Sequence, residues 1–203
     1  MSGQPLAVAL VHAPVLDRRG DRVVSAVTNL DLHDIARSAR TYGARRFYVV
    51  TPAREQVALV ERIARHWCQG HGAAYHADRA EALGLIETVP SLEAAVRAWG
   101  EELGRPVLPI LTGAARHDGI SFAACRQLRA EHPLLLVFGT GWGLAPEVFD
   151  HGWTVLEPVR GVVDYNHLSV RAAAAIILDR LHLPATETEK QLLSTQSARA
   201  END

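Results

Sequence analysis

The chain has 203 residues, a formal net charge of −2 at pH 7 and a hydrophobic fraction of 48%. This length suits one domain with a sizeable core, and no apolar run approaches the roughly 20 residues of a membrane span. The near-neutral charge argues against a strongly basic nucleic-acid-binding protein but permits a local basic face.

The N-terminus and the cysteines bear on the cellular compartment. Residues 1–15 lack a basic segment followed by a long apolar one, so we expect no signal peptide. The two cysteines, Cys68 and Cys125, are too few for a disulfide framework. We therefore expect reduced thiols in a cytoplasmic protein.

Short apolar runs alternate with segments of helical periodicity along the chain. In order, we predict a strand at 6–12, a polar turn at 17–22, a helix at 31–42, a strand at 47–51, a helix at 54–69 and a strand at 85–89. A helix capped by Ser91, a strand at 107–112, a helix at 121–131, a strand at 134–138, a short helix at 146–150, a strand at 154–156 and a helix at 167–182 follow. Asn29 or Asp31 can cap the first helix, and Gly43 is placed to end it.

This order of elements predicts an α/β fold. Strands that are apolar throughout and alternate with helices are typical of a parallel sheet covered on both faces. We therefore predict a mostly parallel sheet of about six strands within residues 1–184. Residues 185–203 are polar and rich in Thr, Ser, Glu and Gln, so they are predicted to be a tail outside the core, of a composition typical of disordered segments.

Three loops with unusual backbone requirements lie close together near the C-terminus. A glycine loop, 139–143, follows the strand at 134–138, and Glu157 and Pro158 follow the next strand. A polar turn, 164–167, precedes the last helix. Glycines allow the backbone to approach a ligand closely, so we predict the binding site here.

The glycine loop admits a dinucleotide-binding interpretation. Gly139 and Gly141 begin the fingerprint, but Leu144 occupies the position of its third glycine. Glu157 lies 18 residues after Gly139, where an acidic residue could bind a ribose. Only 46 residues follow Glu157, too few for the rest of such a sheet. A nicotinamide-dependent oxidoreductase is therefore the weaker alternative.

Three longer stretches carry a resemblance to a known family. They read TNLDLHDIARSARTYG, LLLVFGTGWGLAPEV and EPVRGVVDYNHLSVRAAAAIILDRL. Together they resemble the SPOUT class of S-adenosylmethionine-dependent RNA methyltransferases, and more narrowly the RNA methyltransferase family sometimes attached to tRNA guanine-N1 methyltransferases. The resemblance covers residues 6–183. It implies a C-terminal trefoil knot that binds S-adenosylmethionine, a homodimer, and an RNA substrate, tRNA foremost.

The second and third motifs of that class fall on the glycine loop and the segment before the last helix. Residues 139–144 match the second motif, in which Gly141 replaces the Glu of the ribose methyltransferases. Residues 157–173 match the third motif, with Ser169 retained and His167 at the position of an Asn. The changes at Gly141 and His167 favour methylation of a base over the ribose 2′-hydroxyl.

The first motif falls on residues 31–37, with Asp31 in place of its Asn and Arg37 matching its Arg. Arg37 is expected to bind a phosphate or to stabilise negative charge that develops on a base. A protonated ring nitrogen must lose its proton, and the candidate general bases are Asp31, His33, Asp34 and Asp164. From these motifs we predict Arg37, Asp31 and Asp164 as catalytic residues, and Arg40 and His33 as RNA contacts.

The predicted cofactor site comprises residues of the second and third motifs. Adenine prefers an apolar slot surrounded by backbone hydrogen-bonding groups, and these loops offer both. The predicted S-adenosylmethionine-binding residues are Phe138, Gly139, Thr140, Gly141, Trp142, Gly143, Leu156, Glu157, Pro158, Val159, Asn166, His167, Leu168 and Ser169.

The sequence also permits other interpretations. An RNA-binding module that keeps the cofactor pocket without catalysis is the main alternative, because the Glu of the second motif is missing. His66, His71 and His76, with Cys68 between them, do not share one helix face, so no metal site is predicted. The last helix offers more apolar surface than one sheet face needs, which favours a dimer interface there.

Overall fold

The computed structural model describes residues 3–69 and 71–183. The strands in this part of the chain are β1 (Leu6–Val11), β2 (Val15–Leu16), β3 (Arg22–Val23), β4 (Arg46–Val50), β5 (Ile86–Val89), β6 (Leu108–Leu111), β7 (Leu134–Gly139) and β8 (Thr154–Val155). The helices are α1 (Asn29–Thr41), α2 (Arg54–Cys68), α3 (His71–Tyr75), α4 (Ala77–Leu83), α5 (Leu92–Leu103), α6 (Phe122–Glu131) and α7 (Val170–His182), with a 3₁₀ helix at Pro146–His151.

Strand β1 lies inside a six-stranded parallel sheet with the order β5-β4-β1-β7-β6-β8. Because successive side chains point to opposite faces, β1 contributes to two cores. Leu6, Val8 and Leu10 belong to a core that includes residues of α1, α2, α4, α6 and α7. Ala7 and Ala9 belong to a second core, with residues of α5 and the 3₁₀ helix. The predicted α/β class, the parallel sheet and the helices on both faces are confirmed.

The parallel strands bring several loops together at one edge of the sheet. Val11, the last residue of β1, aligns with Val50 in β4 and with Gly139 in β7. Leu111, the last residue of β6, aligns with Val137 in β7. Ligands of parallel α/β sheets bind outside the carboxyl ends of the strands. The loops after β1, β6, β7 and β8 can therefore share one site.

Strands β2 and β3 form a small hairpin that the sequence pattern did not reveal, since each has only two residues. The predicted polar turn connects them, and the Asp17 carboxylate closes it by accepting the Asp21 N–H at 2.9 Å. The hairpin also clamps the glycine loop: Trp142 N–H donates to the Leu16 carbonyl at 2.9 Å, and Leu16 N–H donates to the Gly143 carbonyl at 3.0 Å. The hairpin thus supports the predicted binding loop.

Two helix starts differ from the prediction. Helix α1 begins at Asn29 and is capped by Thr28, whose hydroxyl accepts the Asp31 N–H at 3.1 Å, so neither Asn29 nor Asp31 is the cap. Helix α7 does not begin at His167. Its cap is Ser169, whose hydroxyl accepts a backbone N–H at 3.2 Å, a role that an imidazole at the earlier position does not fill.

Helices α3 and α4 were not predicted, because helices of five and seven residues are too short for a clear apolar pattern of helical period. The predicted polar tail, 185–203, lies outside the described residues. Within the described ranges, no helix is long and apolar enough to cross a membrane.

Candidate functional site

A cavity of about 970 Å³ lies at the carboxyl edge of the sheet, beside β7 and β6. Thirteen of the fourteen predicted cofactor-binding residues line it: Phe138, Gly139, Thr140, Gly141, Trp142, Gly143, Glu157, Pro158, Val159, Asn166, His167, Leu168 and Ser169. The exception is Leu156, which does not line the cavity. Its side chain is fully buried in the core, and its N–H donates to the Leu111 carbonyl at 2.8 Å.

Glycine is required at two positions of the loop for different steric reasons. At Gly139 a Cβ atom would lie 2.7 Å from the Leu144 nitrogen, so this residue permits close backbone approach. At Gly141 the φ angle is +59° and a Cβ atom would lie 2.8 Å from the Leu16 carbonyl oxygen. A side chain at Gly141 would therefore meet both strain and the hairpin. Trp142 beside it, one of the predicted cofactor-binding residues, is 62% exposed and lines the cavity.

A chain of hydrogen bonds connects the glycine loop to a buried histidine at the end of β1. The Thr140 hydroxyl donates to the Val11 carbonyl at 2.9 Å and lies 2.5 Å from the Ser25 hydroxyl. The Ser25 hydroxyl lies 2.9 Å from Nδ1 of His12. Burial lowers the pKa of His12 to about 4, with the nearby Asp31 opposing the shift, so the imidazole is neutral at pH 7. Ser25 and Thr140 line the cavity.

The Glu157 carboxylate has a structural role at the cavity wall. Its Oε1 accepts the Phe122 N–H at 2.7 Å, at the first turn of α6. Gly119 allows the loop before α6 to lie against this strand end, because a Cβ atom there would be 2.4 Å from the Glu157 nitrogen. Glu157 thus fixes the loop between β6 and α6.

That loop supplies a cavity wall that sequence reasoning missed. Residues 112–116 line the cavity, and so do Ser25 and Thr28 from the segment before α1. Two signals were available. Residues 112–116 directly follow a parallel strand and contain a glycine, and the loops after neighbouring parallel strands share an edge. Arg116 of this loop lies over the Phe149 ring, 4.4 Å from its centroid.

Asp31 is the predicted catalytic residue that lines the cavity. Its side chain is 14% exposed, and it forms an ion pair with Arg171 of α7, Oδ1 to Nε, at 3.2 Å. The Thr28 hydroxyl donates to its Oδ2 at 2.7 Å. Arg171 also donates to Asp34 at 2.8 Å, and this hydrogen bond, with the charges of both carboxylates, raises the pKa of Arg171.

The other predicted catalytic and RNA-binding residues do not line the cavity. Arg37 is exposed on α1, and within residues 3–69 and 71–183 its guanidinium has no hydrogen bond or ion pair. Arg40 donates from Nε to Glu81 of α4 at 2.9 Å. His33 packs edge-on against Trp67, 5.4 Å between ring centroids, and its pKa is lowered by burial first and then by Arg79. Asp164 is exposed in the loop before α7.

The cysteines and histidines form no metal centre in the described part of the chain, where no three His, Cys, Asp or Glu side chains are grouped for one. The His71 side chain is outside that description. Burial raises the pKa of the Cys125 thiol to about 12 and also raises that of Cys68. Both cysteines are free thiols of low reactivity.

Comparison with known proteins identifies the family of this chain. Residues 5–183 match the family described as SAM-dependent RNA methyltransferase. The chain is 46% identical over 179 residues to a tRNA (guanine-N(1)-)-methyltransferase of Nitratidesulfovibrio vulgaris, a match covering 88% of this chain and 42% of that protein. It is 35% identical over 184 residues to an uncharacterized protein of Aquifex aeolicus, covering 89% of this chain and 90% of that one.

The chain therefore spans about two fifths of the length of the tRNA methyltransferases that it matches. Among solved structures, TrmJ from Z. mobilis is similar, with a TM-score of 0.57 at 14% identity over 89% of this chain and 69% of that one. The SpoU methyltransferase AviRb from Streptomyces viridochromogenes, in complex with AdoMet, has a TM-score of 0.52 at 19% identity over 96% of this chain and 60% of that one. These likenesses support the fold. The family match confirms the resemblance found in the sequence motifs: the chain belongs to the family of S-adenosylmethionine-dependent RNA methyltransferases.

Proposed function

We propose that this chain transfers the methyl group of S-adenosylmethionine to a base of an RNA, with tRNA the first candidate. The observation that carries the proposal is one cavity that joins thirteen predicted cofactor-binding residues to the Asp31 carboxylate. A methyl donor and a candidate general base can thus meet in the same space. The tRNA substrate is supported by the name of the relative from Nitratidesulfovibrio vulgaris, of which this chain matches a part.

The cavity fits S-adenosylmethionine in size and in lining. Small-molecule sites measure about 300–1,000 Å³ and combine apolar walls with a few polar groups. Phe138, Val159 and Leu168 supply apolar surface, and the glycines at 139, 141 and 143 line the cavity without side chains of their own. When bound, the cofactor supplies an electrophilic methyl group on a positively charged sulfur.

The protein's own contribution is to position the RNA base and to move its proton. Asp31 accepts the proton of the attacking ring nitrogen, and its ion pair with Arg171 holds the carboxylate at the cavity wall. Arg37, which has no partner within the described ranges, contacts an RNA phosphate or a base oxygen that gains charge. Arg40 and His33 on the same helix extend the RNA contact, and Asp164 is the second candidate base.

Base methylation is favoured over ribose methylation by the geometry at Gly141. The ribose methyltransferases of the resembling class carry a Glu at this position. Here a Cβ atom would lie 2.8 Å from the Leu16 carbonyl oxygen, so the hairpin excludes a side chain from this loop conformation. This steric conflict explains why the Glu of the ribose methyltransferases has no counterpart in this chain.

We also propose a homodimer whose interface lies at the rim of the cavity. The sequence predicted this interface on the last helix, but no large apolar side chain of α7 is exposed. Several large apolar side chains are exposed instead on the segments that border the cavity. They are Leu30, Trp142, Val162, Val163 and Tyr165. Light scattering at micromolar concentration should give twice the chain mass, and a monomeric mass would contradict the dimer.

The free thiols, Cys68 and Cys125, support a cytoplasmic location for the protein.

A trefoil knot in residues 134–183 is part of the same proposal. The chain passes from β7, inside the sheet, to β8 at its edge, and then returns to α7, which packs against α1, α6 and β7. Such a return next to an internal strand is what threading through a loop requires. An experimental structure that traces 157–169 past the glycine loop on the unthreaded side would overturn it.

The proposed activity is tested with isotopically labelled S-adenosylmethionine and RNA from a strain that lacks the gene. Nucleoside mass spectrometry should find one labelled base, and a labelled 2′-O-methyl ribose would contradict the base assignment. The control is RNA from the parent strain, which should accept little label because its site is already methylated. Cofactor binding without transfer to any RNA would instead support the RNA-binding module.

A further inference from the structure

We infer that His12, a buried residue outside the cavity, is a positioning residue that orients the glycine loop through the hydroxyls of Ser25 and Thr140. The assignment of a cofactor to the cavity rests on the proposed function, but the orientation of the loop does not. His12 is fully buried and does not line the cavity, so it acts on a ligand through other residues.

The hydrogen bonds run in one direction from the imidazole to the sheet. Each hydroxyl has one hydrogen, and Thr140 uses its own for the Val11 carbonyl at 2.9 Å. The Ser25 hydroxyl therefore donates to the Thr140 oxygen at 2.5 Å, which lies closer than its other acceptor, the His12 carbonyl at 3.5 Å. The Ser25 oxygen accepts from Nδ1–H of His12 at 2.9 Å. This order fixes the neutral tautomer with its proton on Nδ1.

The second ring nitrogen of His12 indicates that a histidine is present here for its Nδ1 donor and not for core packing. Nε2 of His12 is buried and has no hydrogen-bond partner within residues 3–69 and 71–183. A buried acceptor without a partner is unfavourable, so an apolar side chain at this position would avoid a penalty. The donor on Nδ1 is the feature that an apolar replacement would lose.

The backbone around His12 joins three parts of the site. Its N–H donates to the Val50 carbonyl at 2.9 Å, and its carbonyl accepts the Ser25 N–H at 2.8 Å. Thr140 N–H donates to the Val11 carbonyl at 3.2 Å, and Gly143 N–H donates to the Thr140 carbonyl at 3.0 Å. Reorientation of Ser25 would therefore change the hydrogen bonds of Thr140 and the conformation of the glycine loop.

The matched variants are His12→Asn and His12→Leu. Asn and Leu have nearly the same shape, and both shorten the ring by the same amount, but only the Asn amide can donate to Ser25. Without ligand, hydrogen exchange of the Trp142 and Gly143 amides should be about tenfold faster in His12→Leu than in His12→Asn, the effect of one lost hydrogen bond. Equal exchange in the two variants would overturn the inference.

Two further measurements keep the inference testable if His12→Leu does not fold. Ser25→Ala breaks the chain at a partly exposed residue and should accelerate exchange of the same two amides, whereas unchanged exchange would overturn the inference. In the parent protein, ¹⁵N NMR at pH 7 should show the His12 proton on Nδ1. A proton on Nε2 would contradict the assigned direction.

The link to the ligand is tested by calorimetric titration with S-adenosylhomocysteine. His12→Leu should bind about tenfold more weakly than His12→Asn, the loss expected for one hydrogen bond. Equal affinities would overturn the positioning of the ligand site. If the parent protein does not bind S-adenosylhomocysteine, the proposed function fails, and the exchange measurement still decides the role of His12.

Discussion

Arg171 of α7 holds Asp31 of α1 at the cavity wall, with 3.2 Å between Nε and Oδ1. The same guanidinium donates from Nη1 to Asp34 at 2.8 Å. Asp31 lines the cavity and Asp34 does not. The arginine therefore connects the helix of the first motif to the helix of the third, and its two carboxylates provide a matched pair for mutation.

Asp31→Asn should lower the single-turnover rate of methyl transfer by about 10²–10⁴-fold, because it removes the proposed general base. Asp34→Asn removes the other carboxylate bound by Arg171 and should keep the rate within about twofold of the parent, since exposed ion pairs contribute little. Equal losses in both variants would mean that Asp31 serves only to hold Arg171. Asp164 or His167 would then be the next candidate base.

Arg37→Lys should slow methyl transfer by about 10²–10³-fold while the affinity for S-adenosylhomocysteine stays near that of the parent. Lysine keeps the charge but cannot present forked donors to a phosphate or a carbonyl oxygen. The control is Arg40→Lys on the same helix. It should have a smaller effect, because the Arg40 guanidinium is already held by Glu81. A parental rate in Arg37→Lys would place the RNA contact elsewhere.

Gly141→Ala should abolish S-adenosylhomocysteine binding and lower the free energy of unfolding by more than Gly20→Ala does. Both glycines have positive φ, +59° and +86°, a conformation that costs alanine about 1–2 kcal/mol. Only at Gly141 would the added Cβ also meet a neighbour, the Leu16 carbonyl oxygen at 2.8 Å. Chemical denaturation and calorimetry of both variants measure the difference. Similar affinities and similar free energies of unfolding for both variants would show that the β2–β3 hairpin moves to accommodate the added methyl group.

Acid should destabilise the protein through His12. Its pKa is 6.5 in the unfolded chain and about 4 in the fold, so the unfolded chain binds more protons between these values. The contribution of neutral His12 is therefore complete above about pH 6.5 and is lost as the pH falls toward 4, a total on the order of 3 kcal/mol.

Urea unfolding of the parent and of His12→Asn checks this pH dependence. Between about pH 7 and pH 4.5 the parent should lose more free energy of unfolding than the variant, in which residue 12 does not titrate. Because the two proteins share every other histidine, their difference isolates His12. Equal losses over this range would contradict a buried neutral imidazole.

The parts of the fold that were predicted correctly have strong local signals. The apolar runs of β1 and β7 are fully buried and gave clear strands, and their alternation with amphipathic helices gave the parallel sheet. Gly139 and Gly141 marked the loop that lines the cavity, because close approach and positive φ need glycine. Local chemistry was sufficient in these cases.

The missed features depend on contacts between distant parts of the chain. The β2–β3 hairpin is too short for a periodic signal and is held by the glycine loop through Leu16. The chain from His12 through Ser25 to Thr140 joins residues that are 128 positions apart at its two ends. Leu156 was misplaced because an apolar strand end can face a core or a ligand equally well.

The central claim, that the cavity at the sheet edge binds the methyl donor, is tested most directly by calorimetric titration of two alanine-to-leucine variants with S-adenosylhomocysteine. Ala173 lines the cavity from α7, whereas Ala58 is exposed on α2, and leucine is a good helix former at both positions. The account predicts that Ala173→Leu binds at least about tenfold more weakly than the parent because the added side chain occupies ligand space, and that Ala58→Leu binds like the parent. Parental affinity in Ala173→Leu, or binding of NADH in place of S-adenosylhomocysteine, would contradict it.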